Sequence, residues 1–226
     1  MSKTEFLSFV PIFSELPEET LDKIEKIGTR KVYKKNEVIL MEEEAGTALF
    51  AIVKGKVKVA RASTEGREVI LTILTDSDFF GEMAILDGLT RSATVTAIEE
   101  SELFLLQRND FLNLLREHPE ISISLLQELT KRLRAADMKI KALSLKDAEG
   151  KVATVILQLA DDVGKIKHGK VEIEKLPQQQ DLANMAGTSR ETISRTLHSF
   201  TKKKLIELEG SKLSILDYEK FKEMFI

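Results

Sequence analysis

The chain has 226 residues, 42% of them hydrophobic and 31% charged, with a formal net charge of −3; that is long enough for one large or two ordinary domains with real cores, and it excludes disorder. No apolar run reaches about 18 residues and the start at Met1 has no basic leader before a long apolar stretch, so a membrane span and a secretion signal are excluded and a cytoplasmic protein is expected. The absence of cysteine removes disulfides, thiolate-bound zinc, thiol nucleophiles and cysteine-ligated iron–sulfur clusters, and the acidic balance means that a nucleic-acid partner must be argued from local charge.

Pro17, Glu18 and Glu19 open a short amphipathic helix with Leu21, Ile24 and Ile27 on one face, ended at Gly28. From Arg30 to Arg108 the text changes to short β-type runs: Lys31–Tyr33, Val38–Met41, Ala48–Val53, Lys56–Ala60, Val69–Leu74, Ala93–Ile98 and Leu103–Leu106. Gly46, Gly55, Gly66, Gly81 and Gly88 punctuate them. Strands this short and evenly spaced predict a closed or two-sheet antiparallel β domain, a roll of jelly-roll type, over residues 1–118.

Within that region Gly81-Glu82 stands nine residues before Arg91-Ser92-Ala93, with a short helical turn that includes Met83 between them and a strand after. A cyclic phosphate needs a guanidinium fork with nearby backbone N–H groups, which Arg91, Ser92 and Ala93 can supply. A ribose 2′-hydroxyl needs an acceptor such as Glu82, and Gly81 lets the backbone approach closely. The same spacing also fits a surface ion pair between Glu82 and Arg91.

After Asn109-Asp110 the period becomes helical, and from Pro119 neither Gly nor Pro recurs before Gly150. Leu126, Leu129, Leu133, Ala136, Ile140 and Leu143 fall at alternating spacings of three and four, the a/d seam of a parallel two-stranded coiled coil. Residues 119–146 are thus expected to form a dimerisation helix and the protein a homodimer; a helix packed on its own domain is the alternative.

Residues 147–226 read as a third region: a helix over Lys151–Ala160, a polar hairpin over Lys165–Glu174 around His168-Gly169, two helices between Pro177 and Lys204 split by Gly187, and a β-wing from Leu205–Leu208 and Leu213–Leu216. The first of the paired helices buries Leu182, Ala183 and Ala186. The second starts at Thr188 or Ser189, with Thr188 and Glu191 at capping-box spacing, and carries Ile193, Leu197 and Phe200 on one face and Arg190, Glu191, Ser194, Arg195 and His198 on the other. Arg fits guanine O6/N7 as a fork and Glu accepts from cytosine N4, so Arg190, Glu191 and Arg195 are the base-reading candidates; an i,i+4 ion pair of Glu191 with Arg195 is the plain alternative. Between Arg190 and Lys204 there are five basic residues and one acidic, which favours a DNA face. Gln179 and Gln180 at the first helix's start, and Ser211 and Lys212 at the wing tip, are expected phosphate contacts. No metal-ligand cluster and no histidine beside a serine or carboxylate motif points to an enzyme.

With the cassette, the seamed helix and the segment Gly187-Thr-Ser-Arg-Glu-Thr-Ile-Ser-Arg195 in that order, the chain resembles the cyclic AMP receptor protein and fumarate–nitrate regulator superfamily along nearly its whole length. The resemblance implies an α+β architecture of β-roll, long dimerisation helix and winged helix-turn-helix. It also implies a cyclic nucleotide effector with cyclic AMP favoured, no required cofactor, contact with RNA polymerase, and Arg190, Glu191 and Arg195 reading half-sites similar to TGTGA in a palindromic duplex. The iron–sulfur branch is excluded for want of Cys, and none of His118, His168 and His198 lies in the β region to ligate haem. The chain departs from the cyclic-AMP-responsive members where adjacent hydroxyl residues meet the adenine amino group across the dimer: it has Ala136 and Asp137, of which only the carboxylate can accept a hydrogen bond. A ligand-independent regulator of the same fold, or a nucleotide-binding module gating a partner protein, are the other readings.

Overall fold

The computed structural model describes residues 5–66, 68–167 and 170–225. The expected turn at His168-Gly169 and the start at Met1 lie outside the described residues. Two compact units form, Met1–Leu133 and Arg134–Ile226.

In the first unit a 3₁₀ turn, Glu5–Phe9, leads to α1 (Glu18–Ile27) and then to β1 (Thr29–Tyr33), β2 (Val38–Leu40), β3 (Ala48–Lys54), β4 (Val57–Ala62), β5 (Glu68–Leu74), β6 (Phe79–Phe80), α2 (Glu82–Asp87), β7 (Thr94–Ala97), β8 (Ser101–Gln107), α3 (Arg108–Glu117) and the first part of α4 (Pro119–Leu145). Each of the seven expected runs overlaps a strand; the addition is β6, two phenylalanines too short to show a period. The strands make two four-stranded sheets, ordered β1-β8-β3-β6 and β2-β7-β4-β5, with every pairing antiparallel.

Successive side chains on a strand point to opposite faces, and β3 uses both. Ala48, Phe50 and Ile52 join Val57, Leu74, Val95 and Leu103 in the core between the sheets. Leu49 and Ala51 join Phe104 and Leu106 in a second core, roofed by Leu21, Ile24, Phe111, Ile121 and Leu125 of the helices. A strand buried on both faces cannot show apolar/polar alternation, which is why Ala48–Val53 reads as one apolar run. In α1 the expected apolar face is incomplete: Leu21 and Ile24 are buried while Ile27, in the last turn, is exposed.

Along α4 the expected seam divides. Leu126, Leu133 and Ile140 are 64%, 63% and 62% exposed, so this chain alone does not cover them. Leu129 instead packs against the helix-roofed core.

The second unit holds the rest of α4, then α5 (Ala148–Val163), β9 (Lys165–Lys167), β10 (Lys170–Ile173), α6 (Gln179–Ala186), α7 (Arg190–Lys202), β11 (Ile206–Glu209), β12 (Lys212–Ile215) and α8 (Tyr218–Phe225), with one sheet ordered β11-β12-β10-β9. Asp147 caps α5 by accepting from the Gly150 N–H at 2.8 Å. Gly187 closes α6 at φ 59°, a left-handed position that favours glycine. Ile193, Leu197 and Phe200 of α7 are buried with Leu182 and Ala183 of α6 and Val152, Ile156 and Leu159 of α5; each such side chain is worth roughly 1.5–3 kcal/mol. The terminal α8, unexpected from the sequence, sets Phe221 and Phe225 against Phe200, with ring centroids 5.4 and 5.1 Å away.

Candidate functional site

The cassette is built on α2, a six-residue helix bounded by two left-handed glycines, Gly81 at φ 85° and Gly88 at φ 75°. Gly81 is there for space as well as for φ: a Cβ on it would lie 2.8 Å from Arg91 Nη1 and 3.1 Å from the Ala48 carbonyl oxygen. Backbone hydrogen bonds dock the far arm, with Arg91 N–H donating to the Glu44 carbonyl at 2.8 Å and Glu43 N–H to the Arg91 carbonyl at 2.9 Å. Arg108, at the start of α3, donates to the Ala84 carbonyl at 2.9 Å, satisfying one of the orphan acceptors at the end of α2.

Arg91 is 4% exposed. Its Nη1 donates to the Gly81 carbonyl at 2.7 Å and its Nη2 to the Ala48 carbonyl at 2.8 Å, while its buried Nε has no partner among the described residues. Burial pulls the guanidinium below its usual range, opposed by the fields of Glu82 and Glu44. Glu82, also 4% exposed, points its carboxylate at α4: Oε1 accepts from Arg132 Nη1 at 3.0 Å. Arg132 Nη2 donates in turn to the Phe79 carbonyl at 2.7 Å, and its guanidinium lies 4.4 Å from the centroid of the Phe79 ring. The surface ion pair of Glu82 with Arg91 is therefore not formed; both groups are buried and each has other partners. Of the remaining cassette residues, Ala93 is buried, Ser92 is exposed and donates to the Met83 sulfur at 3.6 Å, and Met83 is half-exposed. Arg132 is the residue the sequence reading missed. A buried carboxylate at Glu82 requires a cation, and the basic run Lys131, Arg132 and Arg134 on the next long helix was the available signal. Ala136 and Asp137, further along α4, are both exposed.

The second constellation is α7. Ser189, not Thr188, is the N-cap: its Oγ accepts from the Thr192 N–H at 3.2 Å. The capping-box spacing of Thr188 with Glu191 is not used, because the first helical residue is Arg190 and Glu191 lies too early in the turn. A hydrogen bond from its own backbone N–H and one from the Ser189 hydroxyl hold the Glu191 carboxyl below the usual carboxylate range. Arg190, Glu191, Ser194, Arg195 and His198 are all exposed, and Arg195 Nη2 lies 3.4 Å from Thr192 Oγ1 rather than on Glu191. Gln179 and Gln180 are exposed at the start of α6, where no side chain caps the helix; Gln180 Nε2 donates to Asn184 Oδ1 at 3.0 Å. Ser211 is exposed at the wing tip, whereas Lys212 is drawn back onto Glu172 at 2.9 Å.

Among the described residues no group of acidic or histidine side chains could hold a metal ion, and no helix is long and apolar enough to cross a membrane.

Two family models match the chain: a cyclic nucleotide-binding domain over residues 30–118 and a Crp-like helix-turn-helix domain over residues 150–224. The chain is similar to a CRP-like cAMP-activated global transcriptional regulator of Mycobacterium tuberculosis, 35% identical over 188 residues that make 83% of this chain and 84% of the relative. It is also similar to the cyclic AMP receptor protein of Thermus thermophilus, 34% identical over 198 residues, 88% of each chain. Among solved structures, a CooA variant from Carboxydothermus hydrogenoformans superposes with a TM-score of 0.77 at 26% identity over 89% of both chains. With a cyclic-nucleotide-binding fold before a Crp-like helix-turn-helix, the chain belongs to the CRP/FNR family of DNA-binding transcription regulators, which are not enzymes.

Proposed function

We propose that the protein is a homodimeric regulator whose DNA affinity is set by cyclic AMP bound in the β-roll. The observation that carries the reading is Arg91, a buried cation bonded to two carbonyl oxygens, with an unpartnered Nε and no carboxylate hydrogen-bonded to it among the described residues. Buried charge without a paired counter-ion is costly, and an anion of phosphate type would supply the missing partner. In this reading Ser92 and the Ala93 N–H help hold the phosphate. Gly81 gives it room, Glu82 accepts from the ribose, and Met83 covers the sugar. Asp137, beside Ala136 on α4, accepts from the adenine amino group across the dimer.

The exposed seam residues Leu126, Leu133 and Ile140 pair two copies. Arg190, Glu191 and Arg195 then read bases in a palindromic duplex, while Gln179, Gln180, Thr188, Ser189, Ser211 and Lys212 position it on phosphates. Ligand binding shifts a two-state dimer so that the recognition helices stand about 34 Å apart, and the ligand must favour one state to do so. RNA polymerase is the onward partner, the cytoplasm the setting, and no cofactor is needed.

One observation favours a second reading, in which the regulator is ligand-independent: Arg132 already engages the carboxylate that the ribose would need. Titration calorimetry on nucleotide-free protein separates the two. Cyclic AMP should bind with one site per chain, and Arg91→Gln, which keeps one donor for the carbonyls, should weaken it at least about thirtyfold, or 2 kcal/mol. No heat from any cyclic nucleotide up to about millimolar, where a site would be worth only some 4 kcal/mol, would establish the second reading.

A further inference from the structure

The recognition helix is held from one side by an acid that lies outside the helix-turn-helix. Glu149 sits in the first turn of α5, four residues beyond the end of α4. Its Oε1 accepts from the Ser199 hydroxyl at 3.0 Å, and Lys203 Nζ reaches its two oxygens at 3.2 and 2.9 Å. These bonds hold the Glu149 carboxyl below the usual carboxylate range, the Lys203 bond foremost. Ser199 and Lys203, the residue just past the end of α7, stand one turn apart on the same side of the helix. That side is the flank between the buried face of Ile193, Thr196 and Phe200 and the exposed face of Arg190, Glu191 and Arg195. Lys203 is thus already engaged by a carboxylate, and the clamp leaves the base-reading side open.

We infer that Glu149 is a positioning residue for DNA recognition, fixing the pose of α7 from the first turn after the long helix. Asp147 makes the anchor stiff by capping the same turn, so movement of that turn is passed to α7 through two contacts rather than through the apolar core alone. A charge effect and a positioning effect have opposite signs here, which makes the inference testable. Removing an acid beside a DNA-binding helix on electrostatic grounds alone should tighten every duplex. Removing a clamp should loosen the duplex whose bases are read and leave a scrambled one unaffected.

The experiment is fluorescence anisotropy of the full-length protein on two duplexes: the best one that the wild type selects from a random-sequence pool, and a scrambled one. Glu149→Ala should weaken the selected duplex about tenfold while the scrambled one, which feels only the lost acid, binds as before or slightly tighter, and Lys203→Ala should not further reduce the selected duplex's advantage over the scrambled one in that background. Glu149→Gln, which keeps the acceptor for Ser199, should fall between wild type and Glu149→Ala and serves as the test if the alanine variant does not fold. Tighter binding of both duplexes, or equal weakening of both, would overturn the inference.

Discussion

Arg132 and Glu82 form a contact whose two ends differ in burial: the carboxylate is almost wholly enclosed while the guanidinium is about a third exposed. Removing the exposed end strands the enclosed one. Arg132→Leu should therefore cost about 1–3 kcal/mol of stability in chemical denaturation, and Glu82→Gln in the same chain should restore part of it. An unchanged denaturation midpoint would mean that the bridge contributes nothing. Glu149 gives the pH counterpart. Its folded-state carboxyl is shifted down, so the ionised form favours the fold. The stabilisation is present above the unfolded value of about 4.3 and is lost as pH falls through the lowered folded value. The melting temperature of wild type should exceed that of Glu149→Gln at neutral pH, and the gap should close as the pH is lowered into that range; a gap independent of pH would contradict the clamp's charge. The cassette residues themselves were legible in the sequence, because a glycine-acid pair at fixed distance from an arginine is a local pattern. For Arg132 the basic run on the long helix offered a cation but not its role, since its partner is fifty residues away and only the fold brings them together.

At the scale of elements, the pattern of apolar residues identified what each segment is and sometimes misjudged what it faces. The spacing along α4 marked a long helix correctly. It could not separate Leu129, which turns into its own domain's core, from Leu126 and Leu133, which stay exposed, because three-four spacing serves both a seam and a wider packed stripe. If Leu133 is a seam residue, Leu133→Lys places two like charges at the dimer axis, and sedimentation velocity should report monomer where wild type reports dimer. A dimer that survives the change would move the interface elsewhere. β6 and α8 escaped the sequence reading for different reasons. Two residues have no period, and α8 is made legible by its packing on Phe200 more than by its own composition; the Asp217 side chain that accepts from the Lys220 N–H at 3.1 Å was the one local sign of its start.

For the whole molecule, the order of a nucleotide-binding β domain, a long helix and a helix-turn-helix was readable because each part carries its own signature. The ligand's base was not, since Ala136 and Asp137 replace the pattern that would name it. The proposed function requires one coupling, that occupancy of the roll changes DNA affinity, and its size is read in a single comparison. The protein is titrated by fluorescence anisotropy into a labelled duplex of two inverted TGTGA half-sites, with and without saturating cyclic AMP. Cyclic AMP should tighten binding by about tenfold or more, a coupling of at least 1.4 kcal/mol. Superimposable isotherms with and without the nucleotide would contradict it.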